Sequence, residues 1–150
     1  MTVELWELSA REEIRETLAT YHHCGDSGRF TEMAALFTVD GVLEVKGEQA
    51  IVGRDAIVEF LNGVQRDVVA LSDVPMLRHY AMNVTITVAS PHEATAASSF
   101  LVIAESGLDH WGRYRDRLVP ADGGWRFAHR LVRTDGHAHG GWAIRRQNLT

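Results

Sequence analysis

Six consecutive residues, Tyr21 to Asp26 with the sequence YHHCGD, bring together phenol, imidazole, thiol and carboxylate groups. This cluster suggests a metal site, a Cys/His nucleophile, or one important residue held in a structural frame. Adjacent residues on a helix point about 100° apart, so His22 and His23 cannot address one ion. Cys24 is more typical of a small apolar filler at a helix end than of a nucleophile. The metal and thiol interpretations are therefore disfavoured, and a lone aspartate after a glycine is by itself more often a turn former or a helix cap.

A second pair of potential ligands, His137 and His139, lies near the C-terminus. Two histidines in a glycine-rich tail are weak grounds for a metal site, because the spacing has no helical or strand partner to complete a coordination shell. The sequence predicts no metal ion and no other cofactor, and it leaves the role of this pair open.

Helical spacing predicts the elements that carry the YHHCGD cluster. Ser9 and Glu12 form a capping-box pattern, so a helix is expected over about 10–24, with Gly25 ending it. The apolar pattern then predicts, in order, a short second helix from Phe30 to Phe37, a hairpin-like pair of short strands at 42–45 and 49–52, and a third helix opening at 53–55.

Alternation of apolar and polar residues dominates the second half of the chain. It predicts four antiparallel strands, at 77–89, 94–104, 109–119 and 125–134. Helices followed by strands indicate an α+β domain, here a curved antiparallel sheet that wraps around the N-terminal helices as a cone with a pocket. We expect a single domain over 1–150, with 136–150 forming an irregular tail.

Composition excludes several classes of partner. A formal net charge of -5 with scattered signs argues against nucleic acid, because no basic stripe could neutralise phosphates. A single cysteine builds no disulfide framework, which fits a reducing compartment. The acidic N-terminus does not resemble a signal peptide, and no apolar run approaches a bilayer span. A cytoplasmic protein without membrane contact is expected.

The element order resembles the nuclear transport factor 2-like superfamily, and within it the SnoaL-like family, over nearly the whole chain up to about Asp135. That superfamily includes polyketide cyclases, scytalone dehydratase and hexachlorocyclohexane dehydrochlorinase. Three stretches carry the likeness: REEIRETLATYHHCGD at 11–26, RHYAMN at 78–83 and GRYRDRLVPADGGWRF at 112–127.

The resemblance implies a set of catalytic residues. Asp26 falls at the catalytic aspartate after the first helix, and His79 at the catalytic histidine that begins the first long strand. His110 matches a second catalytic histidine, Arg130 an active-site arginine, and Tyr21 a tyrosine of the dehydratase. The residues alone also allow a solvent-facing His110, an Arg130 paired with a carboxylate, and a Tyr21 that is plain core.

The expected substrate-binding wall comes from strand alternation and from the predicted pocket. Three of its residues share one strand face, and the fourth belongs to the first short strand: Ser98, Phe100, Val102 and Leu43. Together with the histidines this wall suits a small, largely hydrophobic, oxygenated molecule. A chlorinated substrate is not implied, because the dehydrochlorinase has an aliphatic residue at the position of His110.

A carboxylate beside an imidazole holds its tautomer and leaves the second nitrogen free to take a proton. The sequence therefore predicts a cofactor-independent lyase or isomerase in which Asp26 orients His79 for proton abstraction from carbon. Dehydration is the favoured reaction, because His110 could protonate a departing hydroxyl.

Two other functions remain open at this point. One is a SnoaL-like polyketide cyclase that uses the same pair for an aldol closure. The other is a non-catalytic small-molecule-binding or assembly protein, comparable to the small subunit of a ring-hydroxylating dioxygenase. A hydrogen bond between Asp26 and His79 inside an enclosed cavity would favour an enzyme, whereas a filled or solvent-open cone would favour the binding protein. A homo-oligomer, dimer or trimer, is expected from the relatives.

Overall fold

The computed structural model describes residues 2–147. Its helices are α1 Leu5–Asp26, α2 Phe30–Ala34, α3 Arg54–Leu71 and α4 Trp142–Gln147. Its strands are β1 Phe37–Val45, β2 Ile51–Val52, β3 Leu77–Ser90, β4 Glu93–Ala104, β5 Gly107–Ala121 and β6 Gly124–His137.

The six strands form one open sheet in the order β2-β1-β6-β5-β4-β3. The four long strands, β3 to β6, are antiparallel as predicted, and β1 adds to β6 in parallel. The helices pack on one face of the sheet, so the predicted α+β class and the wrapping of the sheet around N-terminal helices are confirmed. The sheet is mixed rather than wholly antiparallel because β1 runs alongside β6.

Helix α1 is longer than the capping-box pattern predicted. It begins at Leu5, and the Ser9 hydroxyl inside it donates to the Glu13 carboxylate at 3.1 Å. The residues before Ser9 are mostly good helix formers, so they extend the helix past the expected cap. Gly25 lies within the helix, and the chain leaves it at Gly28, whose φ of 71° suits glycine. The prediction that Gly25 ends the helix was therefore wrong.

The main core lies between the sheet and the first three helices. Ile14 and Leu18 of α1 and Ile57 of α3 meet Phe37 and Phe127 of the sheet, and all are buried. Phe37 was predicted to end the second helix, but it begins β1, where its ring packs 5.1 Å from that of Phe127. A smaller cluster of Phe100, Val102 and Tyr114 lies apart from this core.

The C-terminal region is not the irregular tail that was predicted. β6 continues to His137, and α4 follows it, while residues 148–150 lie outside the described part. The guanidinium of Arg146 donates to the Asp67 carboxylate of α3 at 2.8 Å, and Arg145 donates to the backbone oxygen of Leu71 at 2.7 Å. Glycine-rich sequence concealed this helix because its ordering depends on contacts with α3 and β5. No helix within residues 2–147 is long and apolar enough to cross a membrane.

Strand β5 requires glycine at position 112. A Cβ atom there would collide with the backbone oxygen of Arg133 and would lie 2.9 Å from the Phe100 ring. We expect Gly112→Ala to lower the free energy of unfolding by about 1–3 kcal/mol, because a backbone atom cannot move aside cheaply. Urea unfolding measures this. The matched control is Gly63→Ala in α3, where the nearest atom is 3.6 Å from the added Cβ. An equal effect of the two changes would contradict the steric explanation.

Candidate active site

Asp26 and His79 form a hydrogen-bonded pair across 53 residues of sequence. The Asp26 carboxylate lies 2.7 Å from Nδ1 of His79 and also accepts the backbone N–H of His79, at 3.1 and 3.3 Å to its two oxygens. Asp26 is the last residue of α1, and His79 lies near the start of β3, at the edge of the sheet. An ionised carboxylate only accepts, so His79 donates from Nδ1 and its Nε2 has a free lone pair.

Asp26 and His79 line a largely apolar cavity of about 400 Å³. Its lining includes several groups able to bind or move protons, namely Tyr21, His22, Asp26, His79, His110, Tyr114 and Arg146. Most of the remaining wall is aliphatic or aromatic, including Leu43, Phe60, Leu61, Val64, Phe100, Val132 and Trp142. A largely apolar cavity with a few convergent polar groups is typical of a small-molecule site.

A second cleft, of about 630 Å³, lies on the other side of the pair, between α1 and β3. It shares His22, Asp26 and His79 with the apolar cavity but does not include His110. The apolar cavity is therefore the candidate substrate site, since it alone of the two brings both histidines together.

The expected binding wall is only partly formed as predicted. Leu43 and Phe100 line the cavity, whereas Ser98 and Val102 are buried and do not line it as formed by residues 2–147. Val102 instead lies between the two histidines in the sheet, paired with His79 on one side and His110 on the other. Sharing a strand face thus predicted the orientation of these side chains but not which of them reaches the cavity.

Arg130 needs a correction. Its guanidinium is fully buried and donates to the carboxylate of Asp116 at 2.8 and 3.1 Å. It lies 4.3 Å from the ring centre of Tyr21 and 4.0 Å from that of Tyr114, and it does not line the cavity formed by the described residues. The structure thus places Arg130 beneath the tyrosines, where it supports the wall of the site by cation–π contact.

Three functionally placed residues escaped the sequence reasoning: His22, Asp109 and Asp116. The ring of His22 stacks on His79 with centroids 5.6 Å apart and an interplanar angle of 14°. Asp109 lies 2.8 Å from Nδ1 of His110. Strand alternation could have predicted that Asp116 faces inward, because it lies two residues after the inward-facing Tyr114. Its partner on β6 could not be predicted, because it depends on the register of two strands.

Burial governs the protonation of these groups. It lowers the pKa of His22 well below its usual value, and the charges of Arg130 and His79 add to that effect. It also lowers the pKa of His110, although the hydrogen bond to Asp109 opposes this. Burial raises the pKa of Tyr21, so its phenol stays protonated as a donor. The imidazoles of His22 and His110 are therefore neutral, and the Tyr21 phenol is protonated.

Among residues 2–147 no group of three or more histidine, cysteine or acidic side chains is arranged to hold a metal ion.

Residues 6–131 match a family described as the SnoaL-like domain. This chain belongs to the SnoaL-like family. Its resemblance to the nuclear transport factor 2-like superfamily is thereby confirmed, and solved structures agree with it. An NTF2-like protein with a cystatin-like fold from Novosphingobium aromaticivorans is 26% identical, with 97% of each chain covered and a TM-score of 0.74. Among curated proteins, none matches the chain significantly.

Two further structures are similar to this SnoaL-like protein. A candidate scytalone dehydratase from Novosphingobium aromaticivorans is 27% identical, with 89% of each chain covered and a TM-score of 0.76. LinA is 17% identical, with 89% of this chain and 91% of that chain covered and a TM-score of 0.77. The likeness to LinA shows a shared fold alone.

Replacing one member of the buried Arg130–Asp116 ion pair should lower the free energy of unfolding far more than replacing both. Asp116→Ala leaves the Arg130 charge buried without a partner and is expected to cost about 3–5 kcal/mol in urea unfolding. The double change Asp116→Leu with Arg130→Met should recover most of that loss, because no uncompensated charge remains. Asp135→Ala, which removes a partly exposed ion pair with Arg113, is the control and should cost far less. Equal costs for the two alanine variants would contradict this account.

His22 predicts a loss of stability in acid. In the unfolded chain a histidine binds a proton near pH 6.5, whereas folded His22 stays neutral, so the unfolded state gains protons below that pH. Stability should be fully present above about pH 6.5 and fall on acidification, by up to about 1.4 kcal/mol per pH unit for this group. His22→Phe should flatten the dependence in urea unfolding followed down to about pH 5. His92→Gln, at an exposed turn, is the control, and an unchanged slope in His22→Phe would exclude this origin.

Proposed function

We propose that this protein is a cofactor-independent lyase or isomerase that abstracts a proton from carbon in a small, hydrophobic, oxygenated substrate, with dehydration as the favoured reaction. The Asp26–His79 pair carries the proposal, because it holds Nδ1 of a histidine that lines an apolar cavity of about 400 Å³ and so leaves the lone pair on Nε2. A non-catalytic binding protein would not need a histidine with its tautomer held in this way.

Proton abstraction by His79 suits a carbon next to a carbonyl group. The imidazolium that forms is stabilised by the Asp26 carboxylate 2.7 Å away. The negative charge that develops on the carbonyl oxygen requires a donor, and the protonated phenol of Tyr21 in the cavity wall supplies one. His22 beneath His79 stays neutral, so it does not repel the charge that His79 acquires.

Dehydration follows if the neighbouring carbon carries a hydroxyl group. The electron pair of the broken C–H bond forms the new double bond, and the C–O bond breaks. The departing oxygen takes the proton that His79 has just acquired, and water leaves. In this version His79 acts first as base and then as acid, because neutral His110 donates its Nδ1 proton to Asp109 and has none on Nε2.

The candidate scytalone dehydratase among the similar structures supports this class of reaction for a related protein. A suitable probe pair is 1-tetralone, which reports exchange of the acidic C–H with deuterium from solvent, and 3-hydroxy-1-tetralone, which loses water to give fluorescent 1-naphthol. Exchange without dehydration would favour the alternative of an aldol cyclase, since both reactions start from the same enolate.

Asp26→Asn and His79→Gln are expected to lower both reactions by about 10²–10⁴-fold, because the first removes the group that holds the imidazole tautomer and the second removes the base. Proton NMR in deuterium oxide and naphthol fluorescence provide the measurements, and thermal melting shows whether each variant is folded. His92→Gln, at the exposed β3–β4 turn, is the control. Undiminished rates in folded variants would refute the mechanism, and inactivity of the wild type on both probes would refute the assignment to carbonyl substrates.

A further inference from the structure

The cavity contains a second histidine–carboxylate pair, formed by His110 and Asp109. Nδ1 of His110 lies 2.8 Å from Oδ2 of Asp109, whose side chain is fully buried. The Asp109 oxygens also accept the backbone N–H groups of Trp142 at 2.5 Å and Ala143 at 3.1 Å. Both oxygens of Asp109 already accept backbone N–H groups, so the carboxylate is an acceptor. Nδ1 of His110 therefore carries the proton and donates it to Asp109.

Adjacent strand residues normally point to opposite faces of a sheet, yet Asp109 and His110 meet. The pairing of β4 with β5 explains this. Val102 pairs with His110 and Ile103 pairs with Leu108, so Asp109 has no partner in β4. An extra residue of this kind is a β-bulge, and bulges redirect a side chain. The local irregularity therefore brings a buried carboxylate to the back of a cavity-lining imidazole.

Asp109 also connects His110 to the last helix. Its two backbone hydrogen bonds hold the start of α4, and Trp142 and Arg146 of that helix line the cavity. The Trp142 ring lies 6.3 Å from that of His110. One carboxylate thus holds both the imidazole and the wall segment beside it. A carboxylate that only capped the helix would not also need the hydrogen bond to Nδ1 of His110.

We propose that Asp109 is a positioning residue that fixes His110 with its Nε2 lone pair facing the cavity, so that His110 binds a hydroxyl group of the substrate. The inference deepens the proposed function and rests on it for the carbonyl end of the substrate. His110 has no hydrogen-bond partner for Nε2 among residues 2–147, which leaves that nitrogen available to a ligand.

The sheet sets the distance between the two imidazoles. His79, Val102 and His110 are in register on three successive strands, so the α-carbons of the histidines are about 10 Å apart. A molecule held between them carries its acidic C–H at one end and a hydroxyl donor at the other. Fused-ring hydroxyketones have this form, and the apolar wall suits their rings.

The tautomer can be measured without any substrate. In protein labelled with nitrogen-15 in histidine, the His110 signals are identified by their absence from His110→Phe. We expect the proton on Nδ1 and an unprotonated Nε2 at mildly alkaline pH. A proton on Nε2 instead would overturn the inference. This readout uses the wild-type protein and does not depend on whether an Asp109 variant folds.

Ligand binding tests the role of that lone pair. The 5-, 6- and 7-hydroxy derivatives of 1-tetralone are compared with their methyl ethers by calorimetric titration. In the wild type at least one hydroxy compound should bind about tenfold or more tightly than its ether, because the ether cannot donate to Nε2. Asp109→Asn and His110→Phe should reduce that ratio to within about twofold.

The control variant is Asp67→Asn, which removes the ion pair that holds α4 to α3 but does not touch Asp109. It should keep the hydroxyl preference even if it lowers stability. If Asp67→Asn loses the preference as fully as Asp109→Asn, Asp109 acts only as a helix cap and the inference fails. A wild type that shows no preference, or a folded His110→Phe that keeps it, also overturns it.

The two proposals fail separately. Deuterium exchange on 1-tetralone tests His79 alone, because this compound has no hydroxyl group. It can therefore still be measured if the hydroxyl preference is lost. Conversely, His79→Gln should keep the hydroxyl preference while it loses exchange.

Discussion

The hydrogen bonds of Asp26 to His79 join the end of the first helix to the edge of the sheet. β3 is an edge strand, so its outward N–H groups have no neighbouring strand to bind. At His79 that free N–H is satisfied by a carboxylate at the end of α1, which also takes the ring Nδ1. This side chain therefore helps to anchor the longest helix to the open edge of the sheet, as Arg11 does through the backbone oxygen of Ile86, and the same carboxylate holds the tautomer of the His79 imidazole.

Buried charge is treated differently at three points in the interior. Arg130 and Asp116 form an ion pair with aromatic rings around the guanidinium, and Nη1 of Arg130 has no hydrogen-bond partner within the described chain. Among residues 2–147 Asp109 has no Lys or Arg partner, and it relies on backbone donors and a neutral imidazole. His22 stays uncharged, with a buried Nε2 that has no partner within the described chain. Each arrangement avoids an unpaired buried charge, which would be costly.

These arrangements explain how an apolar cavity can contain reactive groups. Most of the wall is aliphatic or aromatic, and the imidazoles of His79 and His110 are each held at Nδ1 by a carboxylate. A fold of this kind serves many functions, so the choice of reaction rests on the few polar side chains that line the cavity. Here those side chains include His79 and His110, about two strand spacings apart, with His22 stacked on His79 and the phenols of Tyr21 and Tyr114.

The sequence by itself determined the four long strands, three helices, the family, and Asp26, His79, His110 and Tyr21 as candidates, because alternation, helical spacing and motif spacing are local signals. The tertiary structure decided everything that depends on register and packing. The pairing of β5 with β6 placed Asp116 opposite Arg130 and so withdrew Arg130 from the cavity. A bulge turned Asp109 towards His110, and contacts with α3 and β5 ordered α4. Such pairings join residues far apart in the chain, or depend on one extra residue in a strand, and no local pattern encodes them.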